Sequence, residues 1–107
     1  MQTKLKSFGL GLADVVEAYH YWRPMQKYPY AIWQEDSEDG SFDTNNHKKE
    51  QQVHGTVDYF TKVEFDEAVD DIQEYLNSVN DFGWRLDAVQ YEDDTNLIHF
   101  TWEWWII

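Results

Sequence analysis

Ile98, Phe100, Trp102, Trp104 and Ile106 occupy alternate positions of a ten-residue run, with Leu97, His99, Thr101, Glu103 and Trp105 between them. Successive side chains of a strand point to opposite faces. The run is therefore a strand from Leu97 to Ile106 with one uniformly large, apolar face, the core side of a sheet covered by helices. Aromatic residues make up 18% of the 107 residues, and each can remove roughly 150–250 Å² from water. That is enough for one core, and with no repeat or Pro/Gly/Ser linker the expectation is a single domain over residues 1–107.

Leu5, Phe8, Leu12, Val15 or Val16 and Tyr19 recur at helical steps and predict a first helix that ends before Arg23-Pro24. Gly9 and Gly11 oppose it, each by about 1 kcal/mol relative to Ala. Pro29 to Gln34 reads as a short strand, and polar Glu35 to Asn46 as a solvated loop or long hairpin arm. His47 to Phe60 contains a strand best defined from Gln52, with Val53, Val57 and Tyr59 opposite His54, Thr56, Asp58 and Phe60. Phe65, Val69, Ile72, Leu76 and Val79 form the seam of a second helix, with Thr61-x-x-Glu64 or Asp66 as its cap. Trp84 to Tyr91 and Leu97 to Ile106 are strands flanking an Asp/Asn-rich turn. The expected fold is α+β, in the order α-β-β-α-β-β, with a mainly antiparallel sheet of about four strands and two helices packed on it.

Eight basic residues face 21 acidic ones, a formal net charge of −13. No basic surface for nucleic acid or anionic membrane can be assembled from that balance. Without cysteine there is no thiolate nucleophile, disulfide or Cys-type zinc site. Met1 to Phe8 has no apolar run of signal-peptide length, and no window approaches the ~20 apolar residues of a membrane span. A soluble protein made in the cytoplasm is expected. The charge is unevenly spread: residues 1–30 carry four bases and two acids, residues 61–107 two bases and twelve acids. The two ends of the chain can attract each other within one subunit or between neighbours.

No P-loop, G-x-S-x-G or G-x-G-x-x-G occurs, and His20, His47, His54 and His99 lack metal-ligand spacing. His54 and His99 facing each other across strands, with Asp58 or Glu103 nearby, would make a metal pair or a general base with its orienter. Two histidines on the solvent side of a sheet is the favoured reading. Glu35 to Gly40 has the glycine of a calcium loop, but Asn46 or His47 falls where a bidentate Glu is required. Nothing marks two of the carboxylates as a glycosidase pair. No catalytic residue, cofactor or metal site is expected.

Trp105 falls on the face opposite Trp102 and Trp104, as do Leu97 and, by simple alternation, Val89. A small sheet apolar on parts of both faces implies a partner subunit, with Leu97 and Trp105 as the expected interface.

These positions bring a resemblance. His20-Tyr21-x3-Met25, Pro29-Tyr30-Ala31-Ile32-Trp33-Gln34-Glu35-Asp36, Gly55-Thr56-Val57-Asp58-Tyr59-Phe60-Thr61-Lys62, Trp84-Arg85-Leu86, Val89-Gln90-Tyr91-Glu92 and Ile98-His99-Phe100-x-Trp102 resemble small tail proteins of siphophages and prophages of Gram-positive bacteria. In order and size the chain is similar to the tail-terminator, or tail-completion, group, which caps the tail tube and joins it to the head. The resemblance implies a non-catalytic α+β protein in a homo-oligomeric ring, usually of six, bound to tail-tube and head-tail connector proteins. It implies a place in the virion at the head-tail interface, after assembly in the host cytoplasm, with DNA passing through unbound. A strand-connecting loop meets the tube in such rings, and Glu35, Asp36, Glu38 and Asp39 mark the candidate tube-facing or lumen segment. Rival readings are another minor connector or capsid protein, an acidic DNA mimic that decoys a DNA-binding protein, and a small enzyme using His54 or His99.

Overall fold

The computed structural model describes residues 1–22, 27–42 and 48–106, with backbone alone at 39–42 and 48–51. The chain is α+β: α1 (Gln2–Val15), β1 (Ala18–His20), β2 (Tyr30–Phe42), β3 (Lys48–Thr61), α2 (Glu67–Ser78), β4 (Phe82–Glu92) and β5 (Leu97–Ile106). One five-stranded sheet has the order β1-β2-β3-β5-β4. β1 runs parallel to β2, and the other pairings are antiparallel.

The sheet thus has five strands and is mixed, where four strands in a different order were expected. The added strand is β1. The spacing to Tyr19 suits a helix, but Val16 has extended geometry and closes α1. Ala18–His20 then pairs with Ala31, Ile32 and Trp33, a three-residue tertiary pairing with no periodicity of its own. The segment from Glu35 belongs to the hairpin arm rather than a loop: β2 pairs with β3 as far as Phe42 opposite Lys48. Beyond Val53, which faces Ile106 of β5, this arm is a two-stranded ribbon.

Both helices cover one face of the sheet. Leu5, Phe8 and Leu12 of α1 and Ile72 and Leu76 of α2 share one buried cluster with Trp33, Val57, Tyr59, Trp102, Trp104 and Ile106. Phe8 is its hub, with ring centroids 5.1 Å from Phe82 and Trp104, 5.6 Å from Trp33 and 5.8 Å from Tyr75. Tyr75 donates to the Phe8 carbonyl oxygen at 2.7 Å, and Trp102 Nε1 donates to Gln73 at 3.0 Å. These bonds tie α2 to α1 and to β5.

The glycines that oppose α1 in sequence are what lets it approach. A Cβ at Gly9 would lie 2.2 Å from the Trp33 ring, and one at Gly11 2.3 Å from the Tyr75 hydroxyl. Gly55 and Gly83 seat Trp104 and Trp105 in the same way on adjacent strands. The helix-propensity cost of about 1 kcal/mol per glycine is set against close burial of a large ring, worth more.

Asp66 caps α2, accepting from the Ala68 amide at 2.9 Å. Thr61 does not act as the cap; it and Tyr59 both donate to Asp66 Oδ2 at 2.7 Å. The helix therefore starts after Phe65, which leaves the expected seam and stands 92% exposed.

Substitutions test this packing. Leu76→Ala should cost about 2–5 kcal/mol through lost burial and a cavity. Gly9→Ala and Gly55→Ala should each destabilise, by roughly 1–3 kcal/mol, although alanine is the better helix and strand former. Gly55 should suffer more, because its Cβ would also lie 2.1 Å from the Gln34 backbone oxygen. Urea denaturation measures all three; a neutral or stabilising Gly9→Ala would refute the seat assigned to Trp33.

Candidate functional site

The expected acidic segment divides into different environments. Glu35 lies on the helix side of β2, while Asp36 sits in the bulge between Glu35 and Ser37 and is exposed, as is Glu38. Asp39 pairs through its backbone with Gln52, and its side chain lies outside the described ones. Glu35 is built into a cluster. His20 Nε2 is 2.6 Å from Glu35 Oε1, and the His20 ring is stacked between Tyr21 and Trp33, with centroids 3.8 Å from each. Burial opposes ionisation of Glu35, but hydrogen bonds from Tyr21, its own backbone and His20 outweigh it and hold the carboxyl below the usual range. The hydrogen bond to Glu35 correspondingly raises the Tyr21 phenol. Tyr21 has a left-handed backbone (φ 71°), and its amide donates to the Trp33 carbonyl oxygen at 2.9 Å. The cluster pins the end of β1 to β2. Beside it, a groove of roughly 380 Å³ runs between α1 and the β1 edge, lined in part by Lys6, Leu10, His20, Trp33 and Glu35.

The face of the sheet opposite the helices carries His54 and His99; His47 lies outside the described residues. His99 Nε2 lies 2.7 Å from Asp58 Oδ1, which also accepts from the Thr101 hydroxyl at 2.9 Å. His54 sits at the other end of the ladder, opposite Trp105, 2.9 Å from Gln52 Oε1. The two histidines lie apart on this face, so the alternative of a His54–His99 pair does not form, although the His99–Asp58 contact does. Thr101 donates to the carboxylate rather than to His99 and is not set up as a nucleophile. Among the described residues no three His, Asp or Glu side chains gather into a metal site. Tyr28, Tyr30, Phe60 and His99 stack in a row with centroids 5.4, 4.9 and 4.2 Å apart. Arg85 binds Glu103 at 2.8 Å.

Trp105 lies half-buried on this face, its indole seated on Gly83. Leu97 is 6% exposed within the single chain and offers a partner almost no surface. Val89 is on the helix side, not this one. A bulge between Leu86 and Ala88 shifts the register, so Val89 and Tyr91 pair with Phe100 and Ile98, and every later side chain of β4 changes face.

That reversal adds Val89 and Tyr91 to an exposed apolar surface on β4. Leu86, Val89 and Tyr91 are exposed on the helix side of the outermost strand, beyond the reach of α2. Phe65, Val69, Val89, Ile98 and Phe100 line a groove of roughly 430 Å³ there, with Glu64, Asp66 and Asp70 around it. Phe65 has φ 57°, a conformation costing about 1–2 kcal/mol for a residue with a side chain. Sequence reading missed this site because a seam residue and a helix-cap neighbour look alike by spacing, and the bulge leaves no mark on β4. No family model and no curated protein matches the chain. No described helix is long and apolar enough to cross a membrane.

Asp66 is one of the carboxylates lining this groove. Burial opposes its ionisation, but hydrogen bonds from Tyr59, the Ala68 amide and Thr61 hold its carboxyl below the ordinary value. The folded chain then binds fewer protons at Asp66 and Glu35 than the unfolded chain. Their contribution is complete above the ordinary carboxylate range and is lost as pH falls through the lowered values. Denaturation midpoints followed from about pH 7 to about pH 3 should fall less steeply for Asp66→Asn, which can still cap the helix, than for the wild type. Equal slopes would count against the ionised cap.

Proposed function

We propose that this chain is a structural protein of a phage tail that assembles as a homo-oligomeric ring of six, caps the tail tube and joins it to the head. The observation that carries the reading is the exposed apolar surface around Phe65, Leu86, Val89 and Tyr91. A surface of that kind on so small a domain marks a protein–protein contact, and a ring supplies the partner. The motifs resembling tail-terminator proteins are spread over most of the chain, in keeping with a scaffold rather than a local active site. The net charge of −13, multiplied around a channel, would repel DNA phosphates and let DNA pass without specific binding. The β2–β3 hairpin arm, with Glu35 and Asp36 at its base and Glu38 and Asp39 farther along β2, is the segment this reading assigns to the tail tube or lumen. The connector proteins and tube are the other partners, and the site of action is the virion, at the head-tail interface, after assembly in the host cytoplasm.

Size-exclusion chromatography with light scattering should give a ring-sized oligomer that does not shift the mobility of double-stranded DNA. Antibody labelling of particles from the producing phage should decorate the head-proximal end of the tail. A monomer or dimer that binds a DNA-binding protein in competition with DNA would favour the acidic mimic instead. Label on the capsid shell would favour a minor capsid role.

A further inference from the structure

Among the described residues, the exposed large apolar side chains form two groups at opposite edges of the sheet. Leu10, Tyr21 and Trp22 lie on or beside α1 and β1, with Trp22 68% exposed. Val63, Phe65, Leu86, Val89 and Tyr91 lie on β4 or on the turn leading into α2. β1 and β4 are the outermost strands. The surroundings differ in charge as well. Lys6 lines the first groove beside Leu10, and Lys4 and Lys6 precede any acid in α1. Glu35 on that side is already engaged by His20 and Tyr21. The second groove is bordered by Glu64, Asp66 and Asp70.

Each patch carries one kind of charge at its own edge of the sheet, so neither is self-complementary and neither suits a two-fold interface in which it meets its own copy. They match head to tail. We propose that the β4-edge groove of one subunit receives the α1–β1 edge of a second copy of this chain, with Leu10 and Trp22 packing on Phe65 and Val89 and Lys6 facing Glu64 and Asp70. This interface rests on the ring reading and names the surfaces that close the ring, away from Trp105 and Leu97. Apolar contact holds the copies together, and the charges set which edge meets which. It also gives Phe65 a reason to stand exposed in a left-handed conformation: strain of this sort persists where function requires it.

Complementation tests the arrangement. One variant carries Phe65→Asp with Val89→Asp, the other Leu10→Glu with Trp22→Glu, each spoiling one edge and leaving the other intact. In sedimentation velocity the wild type should assemble, each variant alone should be monomeric, and an equimolar mixture should form a dimer and nothing larger. The mixed dimer itself shows that both variants fold. A mixture that stays monomeric, or either variant assembling like the wild type, overturns this interface while a wild-type ring leaves the ring reading standing. A wild type that is monomeric at every concentration overturns both. Phe65→Asn gives an independent readout, because asparagine tolerates the left-handed backbone. Its denaturation midpoint should rise while its assembly weakens at least about tenfold; unchanged assembly in a stabilised variant would overturn the role given to Phe65.

Discussion

The fold depends on Phe8 meeting four other rings. Trp33 comes from β2, Trp104 from β5, Phe82 from β4 and Tyr75 from α2, so one side chain of α1 touches three strands and the other helix. Rings of this size reach the hub only because Gly9, Gly11 and Gly55 leave room for them. Interiors packed to crystal-like density tolerate little change in such contacts. Among the described residues one polar cost remains inside: Trp104 Nε1 is buried with no hydrogen-bond partner. An unmade bond of that kind costs about 1–3 kcal/mol, against the far larger apolar area its indole buries.

From that hub the helices cover the middle of the sheet and leave its margins bare. α2 begins at Glu67, after a cap fixed by three hydrogen bonds to Asp66. Because those bonds also tie the cap to Tyr59 and Thr61 of β3, the helix cannot slide over Val89 and Phe100. The bulge in β4 then turns Val89 and Tyr91 to the helix side of the sheet, at the margin that α2 leaves bare. The exposed groove is thus the product of two local features, a cap and a bulge, and not of a poor core.

Much of this was legible in the residues. The alternation of β5 gave its buried face, the spacing of Ile72 and Leu76 gave the core side of α2, and Val53, Val57 and Tyr59 gave that of β3. The misreadings share a cause: tertiary contacts overrode a local pattern. Ala18–His20 is a strand only because Ala31–Trp33 lies beside it. Where the residues allow a loop or a long hairpin arm, Glu35–Phe42 takes the arm, because an antiparallel ribbon needs backbone pairing and not apolar side chains. Phe65 fits a helical seam by spacing, but Asp66 is held where the cap must be. A bulge is an insertion in register that composition does not reveal, and it moved Val89 to the opposite face.

The glycine seats bear on how such a chain can drift. Gly9 and Trp33, Gly11 and Tyr75, Gly55 and Trp104, and Gly83 and Trp105 are each one packing unit shared between two positions. A side chain gained at the glycine must be matched by volume lost from its ring, so the two sites cannot vary independently. Relatives should carry these positions as coupled pairs, large against none or medium against small. Three of the pairs join elements far apart in the chain, so the pairing itself would report the contact between α1 and β2, between α1 and α2, and between β3 and β5.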